Sequence, residues 1–219
     1  MVLVDVEQRR QGIGRALLEH ALAYLERLGV QTIALDSTPV GQPLYASLSF
    51  VDAFRLERWR GPIPPPRPLL VAPDQPTVRP LEAADLTAIA AYDAPLFGVE
   101  RGHILGALVA GHPTGCFRAE RQGTIAGYVL TRPGARAWHV GPLAAADRAT
   151  AARLVQTALL PHTGQEAVLD VVSPNRHAVA LADGLGLAPV RPFIRMTRGA
   201  PPPAIDADRL YTSAGPELG

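Results

Sequence analysis

The chain contains the same series of predicted elements twice, and one constant shift along the sequence relates the two copies. The shift that carries Gly12 onto Ala149, here called the repeat offset, places GIGRALL, residues 12–18, over ATAARLV, and PLYASLSF, residues 43–50, over ALADGLGL. Identity is low, so a chance alternation of strands and helices could produce a similar pattern. We favour a true internal repeat, because the predicted turns and helices fall into register together.

The first copy lies within residues 1–60 and predicts a strand–helix–strand–helix–strand unit. The predicted elements are strands at Val2–Val6, Gln31–Asp36 and Ala53–Arg60 and helices at Gly14–Leu28 and Pro43–Leu48. In the longer helix apolar residues recur every three to four positions, which predicts one buried face.

The second copy lies within residues 77–199 and has additional elements at its start. A strand at Thr77–Pro80, two helices and two strands come first, and the five-element series then ends in a strand at Val190–Thr197. Residues 61–76 are proline-rich, which predicts a semi-rigid extended linker between the two units. Residues 200–219 are predicted to form a C-terminal tail.

Composition restricts the class of protein. The 219 residues are 47% hydrophobic, enough for one large or two small domains with a real core. The absence of a run of about 18 apolar residues predicts no membrane span. The single cysteine, Cys116, excludes an internal disulfide and favours a cytoplasmic location, and its predicted strand suits a buried hydrophobe better than a nucleophile. The six histidines lack metal-ligand spacing, so no metal site is predicted.

Nucleic acid is not the expected partner. The net charge of +1 gives little bulk attraction to a polyanion. Four arginines, at positions 55, 58, 60 and 67, could contact phosphates, but no aromatic platform accompanies them. We assign them to the flanks of a strand and to the linker.

The junction RRQGIGR, residues 9–15, has the composition of a phosphate site. The first N–H groups of a helix are unpaired and lie at the positive end of its dipole, and glycine lets a phosphate approach the backbone. Arg9, Arg10 and Arg15 add charged donors. A tight turn with solvated arginines is the alternative. Leu17 stands where a dinucleotide-binding fingerprint would need its third glycine, so this is not that type of loop.

Two segments of the first copy resemble the GNAT superfamily of N-acetyltransferases. RRQGIGRALL resembles the Arg/Gln-x-x-Gly-x-Gly/Ala motif, and PLYASLSF resembles the LYxxLGF segment, with Ser49 in place of the usual glycine. The resemblance extends over nearly the whole chain. It implies an α/β (mixed α+β sheet) GNAT acyl-CoA N-acyltransferase fold in tandem, with a partial first domain. It also implies acetyl-CoA as cosubstrate and an amine of a small molecule or peptide as acceptor.

The same resemblance implies site residues. The segment before the loop would hold the pantetheine arm of acetyl-CoA and the loop its pyrophosphate. The implied cofactor-binding residues are Val4, Asp5, Val6, Arg9, Arg10, Gln11, Gly12, Ile13, Gly14 and Arg15. Tyr45 matches the tyrosine that often protonates the departing CoA thiolate, although an aromatic that only anchors the short helix is the alternative. Asp5 and Glu7 are candidate bases, and Glu7 also suits the first turn of a helix.

The second copy retains less of the motif. Ala146, Ala149 and Ala151 stand where the first copy has the arginine and two glycines of the motif, and Ala182 stands where it has the tyrosine. Asn175 matches an asparagine that GNAT proteins often place near CoA, but a helix N-cap is the interpretation we favour.

The first copy lacks the elements that residues 77–131 supply to the second. We therefore expect the chain to be N-terminally truncated, which an in-frame stop codon directly upstream of Met1 would contradict. A non-catalytic module that binds CoA or another small ligand, or that only stabilises a partner, is the alternative to an enzyme. Association of two chains into a homodimer that completes the first sheet also stays open.

Overall fold

A computed structural model describes residues 2–66, 75–201 and 204–218; residues 67–74 of the predicted linker, Arg67 among them, lie outside this range. The helices are α1 (Ile13–Arg27), α2 (Gln42–Ala46), α3 (Leu86–Phe97), α4 (Gly102–Gly111), α5 (Arg148–Leu159) and α6 (Arg176–Gly184). The strands are β1 (Thr32–Ser37), β2 (Val51–Pro62), β3 (Thr77–Pro80), β4 (Cys116–Arg121), β5 (Thr124–Pro133), β6 (Trp138–Ala145), β7 (Glu166–Val172), β8 (Ala188–Gly199) and β9 (Leu210–Thr212).

The nine strands of the described residues form one mixed sheet. Their order is β1-β8-β2-β7-β9-β6-β5-β4-β3. Neighbours are antiparallel except β6 and β7, which run parallel and pair only near their starts. The mixed α/β fold class is therefore confirmed.

The two repeats exchange their last long strands. Strand β2 does not pair with β1 of its own repeat but lies between β7 and β8, and β8 lies between β1 and β2. Leu56 is directly opposite Phe193 in the β2–β8 ladder, and the repeat offset relates these same two positions. The pair therefore marks a local twofold axis between the repeats. The division into units at residues 60 and 77 stays a prediction, to which the structure adds that the units share one sheet.

An arginine–aspartate pair joins each exchanged strand to its neighbour. Arg58 on β2 binds both carboxylate oxygens of Asp170 on β7, at 2.7 and 2.8 Å. Arg195, the equivalent of Arg58 under the repeat offset, lies on β8 and binds Asp36 on β1 in the same two-point manner. Paired guanidinium–carboxylate hydrogen bonds fix geometry as well as adding energy, so these bridges set the register of the exchange.

Helices cover both faces of the sheet. Helices α5 and α6 pack over the face that carries Leu169 and Val171, whereas α3 and α4 pack over the face that carries Leu130 and Val172. A smaller cluster under α1 contains Leu18 and Leu22. Cys116 begins β4, is fully buried as predicted, and has a thiol whose pKa burial raises to about 11.

The predicted strand at Val2–Val6 is wrong. Asp5 instead caps a single turn of 3₁₀-helix at Val6–Gln8, its carboxylate accepting from the Glu7 N–H at 2.9 Å. A strand needs a neighbour for its backbone groups, and in the described part of the chain no strand pairs with this segment. Its apolar side chains are exposed, Leu3 to 79% and Val6 to 71%.

The predicted C-terminal tail is partly built into the core. Strand β9 lies within it and is inserted between β6 and β7, where it pairs with Leu143, Ala144 and Val171. Tyr211 of β9 is fully buried. The segment is too short, and too rich in proline and glycine around it, for an alternation of apolar residues to predict a strand.

Candidate active site

The loop before α1 is held by local contacts. Arg9 donates from Nε to the Val4 carbonyl oxygen at 3.2 Å, and Gln11 donates to the Gln8 side chain at 3.3 Å. Arg10 has a positive φ of 67°, a conformation that costs an ordinary residue about 1 kcal/mol. These contacts fold the segment back so that the chain enters α1 at Gly12.

The two glycines of the motif have different roles. Gly12 is the N-cap of α1, with a φ of 81° that favours glycine, and no side chain caps the helix there. Gly14 lies in the first helical turn, where a Cβ would stand 3.5 Å from Val4 Cγ2, an ordinary contact. The backbone thus requires glycine at position 12, where the space beside the Cα is open, whereas a Cβ at position 14 would meet Val4 at an ordinary contact distance.

The arginines surround this open helix end. Arg9 and Arg10 are exposed and form no ion pair within the described residues. Arg15 pairs with Glu19 at 2.9 Å and donates to Ser47 Oγ at 3.0 Å. The second contact links the motif helix α1 to the helix that carries Tyr45. Uncapped N–H groups and nearby guanidinium groups are the donors that a pyrophosphate requires.

Tyr45 lies on α2, half-buried against the cluster under α1. Its ring contacts Phe50 edge to face with centroids 5.9 Å apart. Burial raises the pKa of its hydroxyl above the usual value, so the phenol stays protonated at neutral pH. A protonated phenol can act as an acid, and the aromatic contact shows that Tyr45 also anchors the helix.

Helix α2 ends in the same hydrogen-bonded turn as its counterpart α6. Phe50 N–H donates to the Tyr45 carbonyl and Ser49 N–H to that of Ala46, a Schellman motif. The same bonds recur at the repeat offset around Gly186, which has a φ of 76°. Ser49 holds that left-handed conformation at 65° without being glycine, and this atomic correspondence supports the internal repeat.

The free energy of unfolding of a Ser49→Gly variant is expected to be about 1 kcal/mol higher than that of the wild type, because glycine removes the steric cost of the positive φ. Urea denaturation measures this change. The reciprocal variant Gly186→Ser is the matched control and should lose about as much stability. Equal stabilities of Ser49→Gly and wild type would show that Ser49 is not strained.

The corresponding helix end in the second repeat is closed. Asp147 caps α5, its carboxylate accepting from the Thr150 N–H at 2.8 Å, and it pairs with Arg121 at 2.9 Å. Ala145 and Ala146 donate their N–H groups to the carbonyls of Arg209 and Ala126. A phosphate at this position would meet a carboxylate and backbone donors that already have partners.

Strand β9 fills the gap where β6 and β7 diverge. Asn175 secures it: the side-chain oxygen caps α6 by accepting from two N–H groups, and the amide nitrogen donates to the carbonyls of Asp208 and Leu210 at 3.0 and 3.1 Å. The N-cap interpretation of Asn175 is therefore confirmed. Sequence reasoning did not predict its second contact, since nothing in the local pattern brings residues 208–210 to it.

Three kinds of side-chain contact were not predicted from sequence. They are the Arg58–Asp170 bridge, the contact of His139 with Asp170, and a buried Asp93–Arg101 pair. In the part of the chain that the structure describes, no group of three or more histidine, cysteine, aspartate or glutamate side chains could hold a metal ion. Nor is any helix of that part long and apolar enough to cross a membrane.

Comparison with protein families identifies both repeats. Residues 89–212 match the family model described as an acetyltransferase (GNAT) domain, and residues 1–60 match a second model with the same description. The first match covers more than half of the chain. The chain therefore belongs to the GNAT acetyltransferase family, and the family that its sequence motifs resemble is confirmed.

A curated relative matches one part of the chain. The [ribosomal protein bS18]-alanine N-acetyltransferase of Escherichia coli K12 is 46% identical over 55 residues, which is 24% of this chain. The aligned part is 37% of that relative's length. The chain thus spans little more than a third of the curated relative it matches.

Solved structures share the fold. A proposed acetyltransferase from Pyrococcus horikoshii superposes with a TM-score of 0.74 at 23% identity, covering 99% of this chain and 69% of that one. A GCN5-related N-acetyltransferase from Sphaerobacter thermophilus gives 0.65 at 16%, covering 92% and 72%. A tandem GNAT protein from the clavulanic acid biosynthesis pathway gives 0.59 at 15%, covering 92% and 74%. At these identities the likeness shows the fold alone.

Proposed function

We propose that the chain transfers an acetyl group from acetyl-CoA to an amine, with the donor held at the loop of residues 9–15. The observation that carries this proposal is the contrast between the two helix ends. The end of α1 is uncapped and surrounded by arginines, whereas the end of α5 is capped by Asp147. An anionic cosubstrate is attracted to the first and repelled by the second.

In this proposal each implied residue has a stated task. The N–H groups of Ile13, Gly14 and Arg15 bind the pyrophosphate, with Arg9 and Arg10 neutralising its charge. Val4, Asp5 and Gln11 shape the loop through the hydrogen bonds described above. Gly12 does so through its positive φ, and Val6 begins the 3₁₀ turn. Val6 lies in the 3₁₀ turn, and no strand of the described residues pairs with Val4 to Val6, so that part of the assignment is tested directly by cofactor binding.

Tyr45 is proposed to protonate the CoA thiolate as the acyl group leaves. Attack of a neutral amine on the thioester carbonyl forms the amide bond, and the attacking nitrogen releases one proton to solvent. The carbon–sulfur bond breaks with its electron pair on sulfur, the phenol supplies the proton of the thiol, and the phenol is then reprotonated from solvent. The raised pKa of Tyr45 keeps that proton available. The acceptor is proposed to be a small-molecule or peptide amine. A peptide with an N-terminal alanine belongs in any panel because of the curated relative's name.

The test is the release of CoA thiol from acetyl-CoA in the presence of that amine panel. We expect Tyr45→Phe to lower kcat by about 10²-fold while the Kd for acetyl-CoA stays within about twofold, because the phenol acts only in the chemical step. Tyr24→Phe is the matched control, since Tyr24 is 53% exposed on α1. Unchanged kcat in Tyr45→Phe would leave Tyr45 only its structural role.

For the second repeat, a non-catalytic role is better supported than a second acetyl-CoA site. Its helix end is capped, and β9 occupies the gap between β6 and β7. If residues 77–219 only support the first repeat, one equivalent of acetyl-CoA should bind per chain in a calorimetric titration. Two equivalents would contradict this assignment.

A further inference from the structure

A second polar site shares no lining residue with the loop of residues 9–15. It is a cleft of about 460 Å³ bordered by the β5–β6 turn and by strands β2, β7 and β8. Its basic lining side chains are Arg58, Arg60, Arg132, Arg136, Arg191 and His139. None of these side chains has a role in the proposed acyl transfer.

Three of the arginines already have carboxylate partners. Those pairs are Arg58 with Asp170 at 2.7 Å, Arg60 with Glu166 at 2.9 Å and Arg132 with Glu217 at 3.1 Å. Burial alone would raise the pKa of Asp170, but hydrogen bonds from Arg58 and His139 lower it. These three carboxylates therefore neutralise only part of the positive charge.

The other two arginines supply the excess charge. Arg136, in the β5–β6 turn, and Arg191, on β8, are exposed at the rim of the cleft. Neither forms an ion pair with any residue that the structure describes. Two guanidinium groups brought together from different elements, without carboxylates of their own, leave the rim able to bind an anion.

His139 provides an independent sign of a ligand. Its ring lines the cleft and is 6% exposed, and Nε2 lies 3.1 Å from Asp170 Oδ2. The other ring nitrogen, Nδ1, is buried and has no hydrogen-bond partner among the described residues. Buried polar atoms are rarely left without a partner, because each one costs free energy. The imidazole at the wall of the cleft therefore keeps a hydrogen-bonding capacity that no described residue uses.

We propose that this cleft binds a small molecule through carboxylate or phosphate oxygens, with Arg136 and Arg191 as the binding arginines. His139 adds a contact in its imidazolium form, in which Nε2–H donates to Asp170 and Nδ1–H donates to the anion. The guanidinium group presents several donors in one plane, which matches the oxygens of both kinds of anion. Arg58, Arg60 and Arg132 form the wall and are held in place by their carboxylates. The site shares no residue with the proposed acetyl-CoA loop, so the variants that remove its arginines leave that loop intact.

The experiment is calorimetric titration of the full chain at low ionic strength, first with inorganic phosphate and then with succinate. We expect saturable binding of at least one anion. The anion that binds more tightly shows whether the natural ligand is recognised through phosphate or through carboxylate oxygens. The double variant Arg136→Gln/Arg191→Gln should weaken that binding by about tenfold or more. Arg27→Gln, an exposed arginine on α1, is the matched control and should leave the affinity unchanged.

A His139→Gln variant tests the third contact. The glutamine amide can still donate to Asp170 but places no polar atom where Nδ1 stands, so weaker anion binding at an unchanged unfolding temperature supports the proposal. Two results would overturn the site: no saturable binding of either anion by the wild type, or equal losses in Arg27→Gln and the double variant. The second would mean that diffuse surface charge attracts the anion.

Discussion

A Gly14→Glu variant is expected to lose acetyl-CoA binding at the first repeat by at least about thirtyfold. The new carboxylate would stand in the first turn of α1, where the pyrophosphate is proposed to lie. Two unit charges about 4 Å apart near a protein surface repel by roughly 4 kcal/mol, and half of that corresponds to about thirtyfold in Kd. Calorimetric titration of acetyl-CoA into the wild type and the variant measures the change.

Two controls make this result specific to the position. Gly14→Ala should keep its affinity, because a Cβ there only reaches an ordinary contact with Val4. Ala149→Glu places the same charge at the exposed start of α5 in the second repeat. If Ala149→Glu abolishes binding and Gly14→Glu does not, the donor site lies in the second repeat and the assignment of residues 9–15 is wrong.

Local sequence signals predicted most of the helices and strands, because glycines at turns and the spacing of apolar residues act over a few neighbouring residues. Helix α1 begins beside the predicted glycines, and β4 and β5 start at Cys116 and Thr124 as predicted. The repeat offset holds even in the turn at Ser49 and Gly186. Such features depend on residues close in sequence, so a pattern of glycines and apolar positions is enough to find them.

Long-range pairing could not be predicted in the same way. Strands β2 and β8 each satisfy the same apolar pattern beside either neighbour, so the sequence does not say that they are exchanged. Strand β9 is three residues long. It lies in the gap between the diverging strands β6 and β7, where the Asn175 side chain donates a hydrogen bond to the Leu210 carbonyl. The predicted strand at Val2–Val6 failed for the opposite reason: its composition suits a strand, but no partner strand in the described part of the chain accepts it.

The candidate site was predicted as a list of residues rather than as a geometry. The motif placed an uncapped helix end and Tyr45 in one repeat, and the structure adds the Arg15–Ser47 contact that links their helices. The arginine cleft shows the limit of this approach. Arg58 and Arg60 were noted as basic residues of a strand, but Arg136, Arg191 and His139 join them only through the sheet.

The largest loss of stability is expected from Asp93→Ala. Asp93 and Arg101 are 1% and 2% exposed and form two hydrogen bonds, at 2.7 and 3.0 Å, between α3 and the start of α4. Tyr128, whose pKa burial raises well above its usual value, also donates to Asp93. Removing the carboxylate deprives the buried Arg101 guanidinium of this two-point contact with a negative charge, and breaking a buried ion pair costs about 3–5 kcal/mol. Urea denaturation of the variant measures the loss.

The cost should come from the isolated charge rather than from lost packing, and two further variants separate these causes. Asp93→Ala/Arg101→Met removes both charges, and it should be less destabilised than Asp93→Ala alone because no ion is left buried. Glu19→Ala breaks the Arg15–Glu19 pair, whose side chains are 47% and 50% exposed, and should cost only about 0.5 kcal/mol. A double variant as unstable as Asp93→Ala alone, or less stable, would show that packing around α3 and α4, not the buried charge, determines the stability of this region.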